Sequence, residues 1–396
     1  MAFPRTAAWI LFSLLATALG ACDRAEEAAA SEDLATPTPN TTEQTDWPSF
    51  RGQPANTGRA GGELGADLHL AWSFDTGAPV VSSAVIVGER VYIGNDDGHV
   101  LAISLTRGEE LWSTELGDSQ APPIIEAPPL VVEDRLYIGD HDGFLWCLSV
   151  DDGEPLWSYE TQDKIVGSAA AVGSGTELRI LVGSHDNRLH CLDPAGELLW
   201  AYESEGYVNG CPAISDGKAV FGGCDGLLHV VDLENGKALG RWEVGSYVAG
   251  SAAIADGKAF VGHHDGRTLC IDISNGERLW EYGSGRQAFF SSPAVDATRV
   301  LIGGRDKHVH CIDRESGHGL WTFQTRKRVE SSPVLCGERV VVASEDGRVY
   351  LLDAGSGERL WSYEVGAALA STPAVARGWI VLGCLDGSIY AFNAKK

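Results

Sequence analysis

The sequence predicts an all-β protein, an eight-bladed β-propeller of four-stranded antiparallel blades, closed by an N-terminal strand that completes the last blade. Three observations predict it. Tryptophan recurs at Trp72, Trp112, Trp157, Trp200, Trp242, Trp280, Trp321 and Trp361, with spacings of 40, 45, 43, 42, 38, 41 and 40. A second marker lies at a matched offset: Asp97-Gly98, Asp142-Gly143, Asp186-Asn187, Asp225-Gly226, Asp265-Gly266, Asp306-Lys307, Asp346-Gly347 and Asp386-Gly387. Both count eight units, and a period of about 41 residues is one four-stranded blade. Third, 48 of the 396 residues are Gly, about 12 % against a usual 7 %. That disfavours a mainly helical chain, because interior Gly costs a helix about 1 kcal/mol.

Blade seven shows how one unit reads. Ser331-Ser332-Pro333-Val334-Leu335 is a short innermost strand and Arg339-Val340-Val341-Val342-Ala343 a β-branched second one. Asp346-Gly347 supplies the left-handed turn of a hairpin into Arg348-Val349-Tyr350-Leu351-Leu352. Gly355-Ser356-Gly357 then turns the chain into the outer strand Glu358-Arg359-Leu360-Trp361. Asn187 tolerates positive φ well and Lys307 poorly, so blade six is expected to turn differently. Small residues such as Ser291-Ser292 and Ser371-Thr372 fit strands crowded at one axis, and each Trp is expected to pack on the next blade.

The ends predict closure. Blade eight stops at Ile389-Tyr390-Ala391-Phe392 without an outer strand, while Leu70-Ala71-Trp72-Ser73-Phe74 precedes blade one without inner strands. Joining them removes a free sheet edge. Residues 47–396 then form one propeller rather than the two or three domains that length suggests.

Ahead of it lie two other segments. Residues 1–21 carry Arg5 and an apolar run from Ala7 to Leu19, too short to span about 30 Å of hydrocarbon comfortably, and read as a secretory signal. Leu19-Gly20-Ala21-Cys22 resembles the lipobox of bacterial lipoproteins, which implies cleavage before Cys22, its lipidation and a membrane anchor. Asp23 resembles the enteric signal for inner-membrane retention, a rule that varies between lineages, so inner against outer membrane stays open. Residues 22–46 form an acidic, disordered linker: from Asp23 to Asp46 seven acids oppose one base, with almost no large apolar residue.

Repeats of the form Tyr92-Ile93-Gly94…Asp97-Gly98…Leu101-Ala102…Gly108-Glu109-Glu110-Leu111-Trp112 resemble the PQQ-type (pyrroloquinoline quinone) propeller repeat over residues 70 to 393. That family holds both quinone-dependent dehydrogenases and non-enzymatic scaffolds. An eight-bladed lipoprotein closed by its N-terminal strand is most similar to the BamB family of outer-membrane assembly lipoproteins. The resemblance implies a periplasm-facing scaffold, without a cofactor, that binds protein partners. The opening Trp47-Pro48-Ser49-Phe50-Arg51-Gly52…Gly58 is similar to segments that precede such propellers in many bacterial proteins. No local motif carries the family's partner contacts onto particular residues here.

The candidate partner-binding face consists of the loops that lead into each innermost strand, with Lys164, Tyr207, Tyr247, Gln287, Lys327 and Arg328 around the channel. Glu126, Asn209 and Glu330 lie one step deeper, where a PQQ dehydrogenase holds quinone and calcium; blades two, four and seven scatter them round the ring. No convergent acid, base and cofactor clamp emerges, so no catalytic residue is assigned. A quinoprotein dehydrogenase using PQQ and calcium, or a small-ligand sensor, is the alternative. His141, His185, Cys224 and His264 precede the hairpin Asp in blades two to five, too far apart for donors that must meet within about 4 Å, and are expected to be exposed turn residues; no metal site is assigned. His263 and His264 should point to opposite faces. Cys147, Cys191, Cys270 and Cys311 share a repeat position that also takes Val and Leu, which marks a packing slot rather than a disulfide framework. The formal charge of −25 disfavours nucleic acid and anionic lipid surfaces as partners, and Arg326-Lys327-Arg328 is the one basic cluster.

Overall fold

The structure, a computed structural model, describes residues 46–283 and 286–394. The signal segment, Cys22 and nearly all of the linker lie outside the described residues. Blade 1 runs from its inner to its outer strand as Val85–Val87, Arg90–Gly94, His99–Ser104 and Glu110–Glu115. Blades 2 to 7 repeat it, with innermost strands Leu130–Val132, Ala170–Val172, Ala213–Ser215, Ala253–Ala255, Ala294–Val295 and Val334–Cys336. In blade 7 the Ser331-Ser332 part is therefore not strand. Blade 8 takes Ala374–Ala376, Trp379–Gly383 and Ser388–Ala394 from the C-terminal end, and Leu68–Asp75 pairs antiparallel with the last of these. Trp72 opposite Ala391 and Phe74 opposite Ile389 lock the ring.

Second strands such as Arg339–Ser344 are buried almost throughout, because neighbouring blades cover both of their faces. Outer strands such as Glu110–Glu115 meet solvent and are mostly exposed. The hairpins between second and third strands turn on left-handed residues as expected: Gly98 has φ 75°, Gly347 79° and Asn187 69°. Lys307, expected to differ, takes φ 68° and closes the same turn through its N–H to the Gly304 carbonyl at 3.2 Å. One left-handed residue costs a blade only about 1–2 kcal/mol, less than abandoning the hairpin.

The blades interlock through the tryptophans. Trp72 Nε1 donates to the Leu105 carbonyl of the next blade at 2.7 Å, Trp112 to Val150 at 3.1 Å and Trp280 to Arg314 at 2.8 Å. Seven of the eight rings also lie against a glycine of the next blade's outer turn, and Trp361, facing the blade completed by the N-terminal strand, packs on Phe392 instead. A Cβ on Gly108 would stand 2.6 Å from Trp72 Cγ, at a φ of +66° that a side chain resists. Blade 4 corrects the sequence alignment. There Gly240, not Trp242, pairs with Val230 as Trp200 pairs with Cys191. Trp242 instead folds its indole back over Gly240 and against Gly276, filling the slot from two residues further on, with its Nε1 buried and unpartnered. The spacings of 42 and 38 thus conceal two steps of 40, from Trp200 to Gly240 and on to Trp280.

The small inner residues form a hydroxyl belt. The Cys211 N–H donates to Ser251 Oγ (2.8 Å), Ser251 to Ser292 (2.9 Å), Ser292 to Ser332 (2.9 Å), Ser332 to Thr372 (3.1 Å) and Thr372 to Ser83 (2.8 Å). Pro128, which has no N–H, holds this position in blade 2. Further out, three hydrogen-bonded chains tie blades together. His190 donates from Nε2 to Asp186 at 2.9 Å and accepts at Nδ1 from Tyr159 at 3.0 Å. Asp225–His229–Tyr202 and Asp306–His310–Tyr282 repeat the arrangement.

Trp47–Ala60 crosses the face opposite the hairpin turns as a strap. The carbonyls of Trp47, Pro48, Pro54, Ala55, Thr57 and Gly58 accept from Ile86, Val131, Ile214, Ile254, Val295 and Leu335, the inner strands of blades 1, 2, 4, 5, 6 and 7. Between Pro48 and Pro54 the strap turns inward, sending Phe50 to the channel and burying Arg51 completely. Arg51 Nη2 donates to the Pro293 carbonyl at 3.0 Å, while Nε and Nη1 have no hydrogen-bond partner. Burial pulls its pKa down to about 9.

Candidate functional site

Antiparallel blades send the loops into the inner strands and the second-to-third hairpins to one face, called here the loop face. The strap and the other hairpins occupy the opposite face. Between them runs a central channel of about 170 Å³. Phe50 lies at its strap end, hydroxyls of the belt line its wall, and Glu126, Asn209, Phe290 and Glu330 surround its mouth. Glu126, Asn209 and Glu330, read from sequence as scattered, thus face one space, because a ring brings distant blades together at its axis. Lys164, Tyr207, Tyr247, Gln287, Lys327 and Arg328 do not line the channel; they form an outer rim on the same face.

The mouth is pinned by side-chain pairs between hairpin turns and loops. His141 Nε2 lies 3.0 Å from Glu126 Oε2. Asn209 Nδ2 donates to Cys224 Sγ at 3.0 Å, and Tyr207 stacks on His185 with centroids 4.4 Å apart. Tyr247 stacks on His264 at 4.2 Å, and His264 on Phe290 at 5.7 Å. The Arg305 guanidinium lies 4.0 Å over Phe290 and grips both oxygens of Glu330, at 2.5 and 3.2 Å. The residues before the hairpin Asp are therefore more than exposed turn positions: His141, His185, Cys224 and Arg305 are half-buried members of these pairs. Sequence reading weighed the four His and Cys as metal donors and passed over Phe290 and Arg305; a column of polar residues one step before the hairpin Asp was the available signal. His263 is buried and its neighbour His264 exposed, as strand alternation requires.

Electrostatics follow the packing. Burial and then the nearby Glu126 raise the pKa of Asp96, and burial with the charge of Lys164 lowers that of His185. Burial also raises the Cys224 thiol. All eight described cysteines are free, with Cys147, Cys191, Cys270 and Cys311 buried in the core. Among the described residues no three His, Cys, Asp or Glu side chains gather as a metal site, and no helix is long and apolar enough to cross a membrane.

An eight-bladed ring of these repeats, with its polar mouth facing away from an N-terminal strap, defines a PQQ-type propeller. The chain belongs to the family described as outer membrane protein assembly factor BamB, which matches residues 65–171, 166–289 and 283–396. Among solved structures it is similar to BamB from Moraxella catarrhalis, with 19 % identity, a TM-score of 0.68, and 83 % of this chain and 98 % of that one covered. It is also similar to the quinohemoprotein alcohol dehydrogenase of Comamonas testosteroni (14 % identity, TM-score 0.76, 90 % and 82 % covered). The computationally designed Ika8 protein is a third (18 %, 0.72, 82 % and 99 %). At these identities the likenesses show the fold. No curated protein matches the chain.

Proposed function

We propose that the chain is a non-enzymatic, lipid-anchored scaffold on the periplasmic side of the cell envelope, whose loop face binds protein partners in outer-membrane protein assembly or a similar envelope complex. One observation carries this reading. The polar groups at the mouth are engaged with one another, while Tyr207 is 48 % exposed on its His185 support and Lys327 and Arg328 stand in solvent. Tyr and Arg are favoured at interface hot spots, and a Tyr held by stacking loses little entropy on docking. A calcium ion with a quinone fits the mouth poorly, because Glu126 is bonded to His141, Asn209 to Cys224 and Glu330 to Arg305. The anchor expected at Cys22 completes the reading; Asp46, where the described residues begin, pairs with Arg377 on the strap face.

Affinity capture from envelope extracts with the mature chain tests it, comparing wild type with a Tyr207→Ala, Tyr247→Ala variant. The expected result is a defined partner whose recovery falls at least tenfold in the variant. Equal recovery removes the loop face. Saturable quenching of Trp fluorescence by pyrroloquinoline quinone with calcium, together with dye reduction, overturns the non-enzymatic reading.

A further inference from the structure

The rim of blades 6 and 7 differs from the rest of the loop face in charge. Lys307, Arg326, Lys327 and Arg328 are all exposed, and among the described residues none makes an ion pair. Some cations elsewhere find acids, as Arg267 and Arg278 find Glu281 and Arg348 finds Glu364, and other exposed ones such as Lys237 and Arg359 stand alone; blades 6 and 7 bring four unpaired cations together. The four are held together by backbone contacts. Thr325 Oγ1 donates to the Lys307 carbonyl at 2.9 Å and to the Lys327 carbonyl at 2.6 Å. The Glu345 N–H donates to the Arg328 carbonyl at 3.1 Å, so the Arg326–Arg328 loop runs between the two hairpin turns.

Three of the neighbouring acids are engaged by other groups, while Glu345, on the blade 7 turn, is half-buried and makes no ion pair among the described residues. Asp306 accepts from His310, Asp346 from Tyr350 and from the Arg326 N–H, and Glu330 from Arg305. Four cations thus remain unpaired in a chain of formal charge −25.

We infer that this basic sector docks an acidic, extended segment of a partner protein. The inference rests on the partner-binding reading above and names the chemistry recognised at one part of that face. A narrow peptide fits better than an anionic membrane. Asp97, Asp142, Glu205 and Asp265 are exposed on the other blades of the same face, and a flat anionic surface seated on the whole ring would meet them within a Debye length of about 8 Å. A strand lying along blades 6 and 7 avoids them.

The test uses the mature chain and a fluorescein-labelled hexaglutamate peptide, with hexaglutamine and phosphatidylglycerol vesicles as the other probes. Hexaglutamate is expected to bind saturably, to weaken several-fold between 50 and 200 mM salt, and to lose at least tenfold in affinity in a Lys307→Gln, Lys327→Gln, Arg328→Gln variant. The contacts that shape these loops run through backbone carbonyls, so the variant keeps them; its circular dichroism and melting should match wild type. A Lys218→Gln, Lys237→Gln control, on the hairpins of the opposite face, should bind as wild type does. Equal affinity in the triple variant and wild type, no binding of hexaglutamate, or preference for the vesicles overturns the inference. Capture of the partner lost through Tyr207→Ala, Tyr247→Ala yet unchanged in the triple variant would sink the acidic-segment inference alone and leave the scaffold reading standing.

Discussion

The two faces of the ring are built by different means. On the strap face a single stretch, Trp47–Ala60, hydrogen-bonds to six of the eight inner strands through its own carbonyls, so its geometry depends little on which side chains the blades carry. On the loop face each blade contributes its own side chains, and the contacts differ from blade to blade: His on Glu, Tyr on His, Arg on Phe and Glu. Backbone pairing makes the first face a fixture, whereas side-chain pairing makes the second variable, which suits recognition.

The largest test of this contrast removes a backbone element. Deleting residues 68–76 takes out the outer strand of blade 8; the ring should open, and size-exclusion chromatography should show aggregates. A monodisperse, folded deletion would break the closure. Next in size is Gly108→Val, which forces a branched side chain into the Trp72 ring at positive φ. It should cost about 2–4 kcal/mol by urea unfolding, and an unchanged midpoint would remove the interlock.

Arg51→Met tests the strap from the other direction. A buried guanidinium with two unpartnered nitrogens is an expense that an apolar side chain of similar length avoids. The variant should gain about 1–3 kcal/mol near neutral pH, and a loss would show that the Pro293 hydrogen bond outweighs the buried charge.

Smaller effects follow from pH. His185, His229 and His263 have pKa values lowered chiefly by burial. Being held neutral, they contribute stability that is present above the unfolded value of about 6.5 and lost as pH falls below it. Burial raises Asp186 and Asp306, but the hydrogen bonds and charges of His190 and His310, together with backbone N–H donors, more than offset it and leave both lowered. Their contribution is present above about 3.9 and is lost as pH falls through their folded values. Urea midpoints measured from pH 8 to 3 should therefore decline in two stages, and His229→Phe should flatten the first. The smallest effect belongs to the rim: Lys327→Glu with Arg328→Glu should change stability by less than about 0.5 kcal/mol, which separates loss of binding from loss of fold.

Eight blades, their hairpin turns and the closing strand were legible because they repeat. Turn glycines and the outer tryptophans are local signals copied round the ring, so errors in one blade are outvoted by the others. Trp242 shows the limit: a tryptophan two residues out of register fills the same slot, and only strand pairing reveals that Gly240 holds the position. The strap was visible as Trp47…Gly58 but its course was not, since its partners are carbonyl and N–H groups common to every sequence. The mouth was hidden for a related reason. Glu126 and Glu330 are more than 200 residues apart in sequence, and nothing in linear order says that a ring closes them onto one channel. Phe290 and Arg305 stood in a column of turn and loop residues whose chemistry changes with each blade, so no repeat drew attention to them.

Photo-crosslinking inside the envelope tests the central claim most directly. With benzoylphenylalanine placed in turn at positions 207, 247 and 328 on the loop face and at 53 and 377 on the strap face, the account predicts adducts with a defined protein from the loop-face positions and none from the other two. Adducts confined to positions 53 and 377 would contradict it.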